Sequence, residues 1–279
     1  MSYKIIADSC CDLTEKLKKD SRIQIIPLTL EVDDKQIIDD ETFNQKEFID
    51  LVKNSKECPK SACPSPQSFM DACEGEAEHV YIITLSQHLS GSYNSAVVGM
   101  DMYYEQHGHN KKIEVISSDS ACTGETLIAL KIMELEEQGL SFEEIVAKAR
   151  DFLDKMTTFF ILESMDFLKK NGRLTGMAAV LVTALNIKPI MMGDHGVIVK
   201  VDQARGLQKA LKKLVERIAN EVKNPEERTL AITHCNCKER ALALRDSILT
   251  KVPFKDTMIV DAAGVSSLYA GDGGIVVNY

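Results

Sequence analysis

The chain lacks an excess of positive charge, because 33 Lys and Arg residues stand against 42 Asp and Glu residues, giving a formal net charge of −9 at pH 7. Proteins that bind nucleic acids present basic surface to the phosphate backbone. Apart from ordinary helix-face lysines at 209–213, no basic cluster stands out in the sequence. We therefore expect no nucleic acid among the partners of this protein.

Long hydrophobic runs are absent as well. No window of the sequence approaches the roughly 18 apolar residues that a membrane-spanning helix requires. The N-terminus, Met-Ser-Tyr-Lys-Ile-Ile-Ala-Asp, enters a strand-like run at once and carries no signal-peptide pattern. Together these absences predict a cytoplasmic protein without stable membrane insertion.

The eight cysteines show neither a disulfide framework nor the spacing of a metal site. His-Cys-Asn-Cys at 234–237 is not C-x-x-C, and no second pair follows it at zinc-finger spacing. Cys10 and Cys11 are adjacent, so a vicinal disulfide or a metal site is the alternative to ordinary packing there. We expect reduced thiols, no metal and no cofactor beyond a bound ligand.

The signatures of several enzyme classes are missing. Neither the Gly-x-Ser-x-Gly nucleophile motif nor a Walker loop is present. Gly-Asp-Gly-Gly at 271–274 lacks the strand-before-helix context of a dinucleotide-binding fingerprint. His88 and Ser90 are too close in sequence to form an obvious Ser–His pair, although a triad assembled in space stays open as an alternative.

The most informative stretch is 85–96, Leu-Ser-Gln-His-Leu-Ser-Gly-Ser-Tyr-Asn-Ser-Ala. It follows the apolar, β-branched run 79–84, which predicts a buried strand, and it precedes a helical pattern with a broad apolar face. A strand that turns into a helix leaves free backbone N–H groups at the helix N-terminus, which suits a carboxylate or a phosphate. The simpler alternative is that Ser90 or Ser92 only caps the helix.

Polar residues also follow other predicted strands. Asp8 comes after the first strand and Asp119 after a later one, and open α/β sheets bind ligands at the carboxyl ends of their strands. In the turn-rich loop 60–66, Ser65 is explained as the N-cap of the next helix. Ser61 has no such local role and is therefore a candidate for ligand binding.

Alternating strand and helix patterns predict an α/β fold, with a mainly parallel sheet in the first half. A new strand begins at 157, so we predict one α/β domain at 1–156 and a second at 157–279. The second half predicts a short helix within 165–174, a hairpin turning at 193–196 and an amphipathic helix over 204–222. The segment from Met177 to Leu185 is apolar around most of its circumference.

Six short motifs occur along the chain in a characteristic order. They are Asp-Ser at 8–9, Ser-Ala-Cys-Pro-Ser-Pro at 61–66, Leu-Ser-Gly-Ser-Tyr-Asn-Ser-Ala at 89–96, Asp-Ser at 119–120 before Gly124, Met-Asp-Phe-Leu-Lys-Lys-Asn-Gly-Arg-Leu at 165–174, and Lys-Pro-Ile at 188–190. In this set and order the sequence resembles the DegV family, bacterial fatty-acid-binding proteins that serve a fatty-acid kinase. The resemblance covers essentially the whole chain.

The resemblance implies that a long-chain fatty acid is held between the two α/β domains and is presented to a fatty-acid kinase. Ser61, Ser90 and the backbone N–H of Gly91 would hold the carboxylate. The other candidate ligand-binding residues are Ser92, Asn94, Tyr269 and Gly271. Arg173 corresponds to a position implicated in contact with the kinase. On this reading the protein is a carrier that performs no chemistry itself.

Two departures from the family pattern concern the head-group site. The family commonly ends in His-x-Gly-Pro-Gly, whereas this chain has Tyr269-Ala-Gly-Asp-Gly. The threonine of the family's loop is replaced by Ser61, which keeps the hydroxyl, and the next serine by Ala62. Whether this altered end changes the ligand or the partner is not readable from the sequence.

Two other functions remain as alternatives. One is a small-molecule hydrolase or transferase with Ser90 or Ser92 as nucleophile, and the other is a lipid-responsive regulatory protein. The length and unsaturation of an acyl ligand, the oligomeric state and the physiological pathway are not readable from the sequence.

Overall fold

The computed structural model describes residues 2–174 and 186–279, and the apolar segment from Met177 to Leu185 lies outside them. The strands are β1 (Tyr3–Asp8), β2 (Ile23–Ile26), β3 (Thr29–Val32), β4 (Lys35–Ile38), β5 (Lys60–Ala62), β6 (His79–Thr84), β7 (Lys112–Ser117), β8 (Thr158–Ile161), β9 (Ile187–Asp194), β10 (Val197–Arg205), β11 (Thr229–His234), β12 (Asp256–Asp261) and β13 (Ile275–Asn278). The α-helices are α1 (Gln45–Asn54), α2 (Pro66–Ala72), α3 (Ser92–His107), α4 (Thr123–Glu137), α5 (Phe142–Lys155), α6 (Asp166–Lys170), α7 (Leu207–Glu221), α8 (Lys238–Leu249) and α9 (Gly264–Ala270). Short 3-10 helices occur at Leu17–Lys19 and Pro225–Glu227.

The first sheet has the order β2-β1-β6-β7, and all its neighbouring strands are parallel. Every residue of β6 is buried, because parallel sheets in α/β proteins are covered on both faces. On one face, Ile5 and Tyr81 pack against α4 and α5, and on the other, Ile6 and Ile82 pack against α2 and α3. The predicted parallel sheet is confirmed.

A small antiparallel sheet of order β4-β3-β5 lies beside the first one. The predicted turn between β3 and β4 is present, with Asp33 in the left-handed region at φ 51°. The loop prediction for Ser61 was wrong, because this residue is paired with Leu30 in the short strand β5. A three-residue strand is too short to leave a periodic pattern in the sequence.

The second sheet has the order β10-β9-β8-β13-β11-β12 and is antiparallel except for the pair β11 and β12. Helices α7 and α8 cover one of its faces in a continuous apolar core. The predicted hairpin joins β9 and β10, and its strands extend further than expected, to Asp194 and Arg205. The amphipathic helix α7 therefore begins at Leu207 and not at 204.

Helix α4 packs between the two sheets, since it contacts β1 and β6 on one side and β11 and β13 on the other. Its first seven residues are all buried. Polar side chains join the sheets beside it: Asn278 Nδ2 donates to Ser120 Oγ at 3.0 Å and to Thr158 Oγ1 at 2.9 Å. Thr123 Oγ1 donates to Asn278 Oδ1 at 2.9 Å. We call Ser120, Thr123, Thr158 and Asn278 the interdomain seam.

The strands of the first sheet end at Ser117 and those of the second begin at Thr158. The exact division at 156 and 157 stays a prediction. The short helix expected within 165–174 is α6, which is followed by Gly172 at φ 73°. Within the described ranges, the chain forms no helix with the length and apolarity needed to cross a membrane.

Candidate functional site: a cavity between the two sheets

A cavity lies where the loops after β1, β6 and β7 approach β8, β9, β10 and α9. Its empty space, counted out into open solvent, is about 740 Å³. Most of its lining is apolar. The lining side chains include Leu85, Leu89, Ala121, Phe160, Leu162, Leu168, Ile198, Val265, Ala270 and Val276.

One part of the cavity carries a polar cluster made by three side chains from separate elements. Tyr269 Oη and Ser61 Oγ are 2.9 Å apart, and the guanidinium carbon of Arg173 lies 5.5 Å from the centre of the Tyr269 ring. Tyr269 and Arg173 both line the cavity. All three residues are partly exposed, so this cluster of Ser61, Arg173 and Tyr269 reaches solvent.

The turn before α3 lies next to the polar cluster. Arg173 Nε donates to the carbonyl of Leu89 at 3.0 Å. Ser90 is the next residue in the chain, so this hydrogen bond holds the Ser90 segment close to Arg173. Ser90 Oγ accepts from the backbone N–H of Ser92 at 3.2 Å, and the two serine hydroxyls are 3.1 Å apart. Gly91 is the N-cap of α3, and no side chain makes the cap bond there. Ser90 nevertheless satisfies one free N–H group of the helix start, as the capping alternative expected.

The structure brings some of the predicted ligand-binding residues together and leaves others apart. A Cβ atom on Gly91 would lie 3.1 Å from Cys63 Sγ, which brings this turn close to the Ser61 segment. Ser92 is fully buried, and Asn94 is exposed on α3. Gly271 ends α9 with φ at 67°, a conformation that glycine adopts without strain.

Cys10 and Cys122 line another part of the cavity, and both contact the hydroxyl of Ser266, at Sγ–Oγ distances of 3.9 and 3.4 Å. In the described part of the chain all eight cysteines are unpaired. The hydrogen bond with Cys122 and burial raise the pKa of the Cys10 thiol. The same hydrogen bond lowers the pKa of Cys122, but its pKa is raised in sum by burial and the charge of Asp12. The thiolate forms are therefore disfavoured, and ordinary packing is the better account of these cysteines.

Three carboxyl groups with no exposed surface lie near these cysteines. Asp8 accepts from the N–H groups of Cys10 and Leu85, both at 3.0 Å. Asp12 Oδ1 accepts from the Ala263 N–H at 2.7 Å. Within the described ranges, Asp12 Oδ2 and both carboxyl oxygens of Glu125 have no hydrogen-bond partner.

Burial raises the pKa of Asp8 to about 6 and that of Asp12 to about 7. The pKa of Glu125 is raised well above its usual range, by burial first and by the charge of Asp8 second. At neutral pH, the carboxyl groups of Asp8, Asp12 and Glu125 together therefore carry fewer than three negative charges. Sequence reasoning singled out only Asp8 of this group.

These raised pKa values predict a stability that increases as the pH falls from 7.5 to 5. The folded protein binds more protons than the unfolded chain between the ordinary carboxyl pKa near 4 and the raised values, so acidification in this window favours folding. We expect the melting temperature to be several degrees higher at pH 5 than at pH 7.5. The lowered pKa of His234 acts in the opposite sense, so the test must isolate one carboxyl.

Asp12→Asn is the matched variant, because an amide oxygen still accepts from Ala263 but carries no titratable proton. Its melting temperature should depend less on pH between 5 and 7.5 than that of the unaltered protein, as followed by circular dichroism. Equal pH dependence in both proteins would contradict the raised pKa of Asp12.

The geometry offers little to a serine nucleophile. Within the described ranges, the Ser90 and Ser92 hydroxyls hydrogen-bond to each other, and neither bonds to a histidine. Ser92 also contacts the buried Asp8 carboxyl, whose oxygens accept from the backbone N–H groups of Cys10 and Leu85. A serine hydrolase needs a base within hydrogen-bond reach of its hydroxyl.

The sequence did not predict that Arg173 points into the cavity or that it bonds to the carbonyl of Leu89. No local pattern indicates the direction of a side chain that follows a helix.

The chain matches a known protein family over almost its whole length. The family model described as an uncharacterised protein of the DegV family matches residues 2–279. The chain belongs to the DegV family. Among curated relatives, a DegV domain-containing protein of Streptococcus gordonii is 33% identical over 282 residues, covering 100% of this chain and 99% of that protein.

Solved structures of similar DegV proteins carry fatty acids. A DegV-family protein from Ruminococcus gnavus, refined with vaccenic acid, is 43% identical, covers 100% of both chains and superposes with a TM-score of 0.97. The Fatty Acid Kinase (Fak) B3 protein of Streptococcus pneumoniae, loaded with linoleic acid, is 31% identical with a TM-score of 0.90, and the match covers 100% of this chain and 99% of that one. The resemblance read from the six motifs is thus confirmed, together with the α/β fold.

Proposed function

We propose that this protein binds a long-chain fatty acid in the cavity between its two sheets and presents the carboxylate to a fatty-acid kinase. The observation that carries the proposal is the combination of an apolar cavity with one polar cluster that reaches solvent. The fatty acids held by the similar proteins of R. gnavus and S. pneumoniae support it. The protein acts as a carrier and performs no chemistry itself.

The apolar lining supplies the affinity. Each buried methylene contributes roughly 0.8 kcal/mol, so a tail of about fifteen carbons gains on the order of 12 kcal/mol before costs. Ordering the chain and losing its translational freedom remove much of this gain. The remaining binding free energy suits a ligand that is bound tightly and can still be transferred to a partner.

The head group would lie at the polar cluster. Ser61 and Ser90 offer hydroxyls, Gly91 offers a backbone N–H, and Tyr269 takes the place of the histidine expected from the family pattern. Ser92 is buried next to Ser90 and would orient the Ser90 hydroxyl. Gly271 would position the C-terminal end of α9, where Tyr269 lies. Asn94 is exposed on α3, so any contact it makes with the ligand would lie at the surface around the site.

Presentation to a kinase requires the carboxylate to be within reach of a second protein. The polar cluster is partly exposed, and Arg173, the proposed kinase contact, belongs to it. The name of the Fak B3 protein supports a kinase partner for this type of chain. The kinase would transfer the γ-phosphoryl group of ATP to the bound carboxylate, forming an acyl phosphate.

The first test is mass spectrometry of an organic extract from the purified, denatured protein. We expect a long-chain fatty acid in about one-to-one ratio, and a higher melting temperature when fatty acid is added to delipidated protein. With ATP and the S. pneumoniae fatty-acid kinase, the loaded protein should yield acyl phosphate, trapped as a hydroxamate. Ser61→Ala and Ser90→Ala should each weaken binding about 3- to 10-fold, the worth of one hydrogen bond.

An empty extract, together with no thermal shift, would count against the carrier function. Stoichiometric lipid without acyl phosphate would favour the lipid-responsive regulatory alternative. Covalent labelling of Ser90 or Ser92 by a serine-directed electrophile, with turnover in the absence of a kinase, would favour the hydrolase.

A further inference from the structure

The tip of the β9–β10 hairpin belongs to the second sheet but lies on the loops of the first. We define this hairpin tip as residues 193–198. Strand β9 pairs with β8 as far as Gly193, which is opposite Thr158, the first residue of β8. Residues 194–197 therefore extend past the neighbouring strand, and β10 is the edge strand of its sheet. The end of the hairpin is supported by the loops of the first sheet.

The hairpin tip is a compact unit with a flexible point behind it. His195 and Gly196 both have positive φ, 45° and 79°, as in a tight two-residue hairpin turn. Behind the tip the pairing skips Val201, because Lys200 and Asp202 pair with successive residues of β9. Such a β-bulge bends a strand locally and interrupts its ladder of hydrogen bonds. The bulge is therefore a suitable hinge.

Helix α7 holds β10 from the bulge onward. Arg217 Nη1 donates to the carbonyl of Val201 at 3.4 Å, and Lys213 Nζ donates to the carbonyl of Gln203 at 3.0 Å. In the described part of the chain, no side chain of α7 bonds to the hairpin tip. The bulge thus separates an anchored base of the hairpin from a tip that the helix does not hold.

Within residues 2–174 and 186–279, one hydrogen bond joins the hairpin tip to the first sheet. Ser86 Oγ donates to the carbonyl of Gly196 at 2.9 Å. Both residues are buried, although loops normally run over the surface and face water. A Cβ atom on Gly196 would lie 2.5 Å from Ser86 Oγ and 3.0 Å from His88 Cδ2. The tip is therefore packed closely against this loop.

Ser86 is a firm attachment point, because its backbone is held on both sides. Its N–H donates to the carbonyl of Ser120 at 2.9 Å, and its own carbonyl accepts from the N–H groups of Leu89 at 2.9 Å and Ser90 at 3.1 Å. The side chain of Ser86 lies outside the cavity lining. Ser86 can therefore hold the hairpin tip without contacting a ligand.

The boundary between the hairpin tip and the loops crosses the wall of the cavity. Gly193, Gly196 and Ile198 of the tip line the cavity together with Leu85 and Asp119 of the loops after β6 and β7. Separating the tip from these loops breaks one hydrogen bond, whereas separating the two sheets would break the whole interdomain seam. Segments with few stabilising contacts open first, so the wall opens most easily here.

We propose that the hairpin tip is a lid of the lipid cavity and that the hydrogen bond between Ser86 and Gly196 holds it closed. The lid opens about the bulge at Val201 and lets the acyl chain enter and leave. This inference rests on the proposed lipid-binding function and adds the control of lipid exchange. Ser86 is a positioning residue that sets the rate of exchange.

The test follows the exchange of cis-parinaric acid, a fluorescent long-chain fatty acid, by stopped-flow fluorescence without kinase. Ser86→Ala should accelerate both binding to delipidated protein and release into excess unlabelled fatty acid, each about 3- to 10-fold, the factor that one hydrogen bond contributes. The dissociation constant should change by less than about 2-fold, because both rates rise together. Gly196→Ala should also accelerate release, since its Cβ atom keeps the tip away from Ser86.

Ser118→Ala is the matched control. Ser118 is another fully buried serine, and its hydroxyl bonds to Ser120 within its own loop. This variant should leave both rates unchanged. Unaltered rates in Ser86→Ala, or faster release with unchanged binding and a correspondingly weaker affinity, would overturn the lid while leaving the carrier function intact. An unaltered protein that binds neither cis-parinaric acid nor its competitor would refute the carrier function itself.

Discussion

Gly193→Phe is expected to weaken fatty-acid binding strongly while the protein remains folded. Gly193 lies in β9 and lines the cavity. A Cβ atom there would meet Thr158 Cβ at 3.5 Å and the Asp119 carbonyl oxygen at 3.7 Å, which are ordinary contacts. A side chain is therefore accepted at this position, and a large one projects among the residues that line the cavity.

The size of the effect follows from the space the ring occupies. If the ring excludes about four methylenes, the loss is ~3 kcal/mol, or roughly 100-fold in affinity. Displacement of a bound fatty acid, followed by calorimetry, measures this directly. Gly193→Ala is the control, because it adds only the Cβ atom and should bind nearly as well as the unaltered protein. Full affinity in Gly193→Phe would place the ligand outside this cavity.

Gly124→Ala should be among the most destabilising single substitutions in the chain. Its Cβ atom would overlap Ser120 Oγ and lie 2.7 Å from Ser120 Cβ and 3.0 Å from Asn278 Nδ2. Both residues belong to the interdomain seam, so the new atom displaces a hydrogen-bonded network and overpacks its surroundings. Together these effects should cost about 3 to 5 kcal/mol.

Thermal and urea unfolding would measure this loss. The double variant Ser120→Gly with Gly124→Ala removes the overlapping side chain and should be more stable than Gly124→Ala alone. If Gly124→Ala melts within about 2 °C of the unaltered protein, the interdomain seam rearranges around the added Cβ atom with little loss of stability.

The fold was largely predictable because its strongest patterns are local. The fully buried strand β6 is a continuous apolar, β-branched run, and the amphipathic helix α7 shows a clear helical period. Helix α9 was missed for the opposite reason: its residues are Gly-Val-Ser-Ser-Leu-Tyr-Ala, small and polar side chains mix with apolar ones, and nearly all of them are buried. A short helix buried on every side has no apolar face to detect.

The candidate site was only partly predictable. Polar residues at strand ends pointed to Asp8 and to the turn containing Ser90, because the position of a ligand site in an α/β sheet follows from topology. The burial of Glu125 could not be read, since glutamate in the first turn of a helix normally faces water. It is buried here because α4 lies between two sheets, a tertiary relation without a local signal. The inward direction of Arg173 depends likewise on Leu89, a contact across 84 positions of the chain.

The position of α4 has a consequence for how the molecule can be divided. The helix follows the strands of the first sheet in sequence, yet it packs against strands of both sheets. A chain cut at the boundary between the sheets would leave one fragment with an uncovered helix face and the other with uncovered strands. The two halves are thus not modules that evolution or a protein engineer can exchange freely. Both halves depend on α4, and the cavity between the sheets lies beside this shared helix.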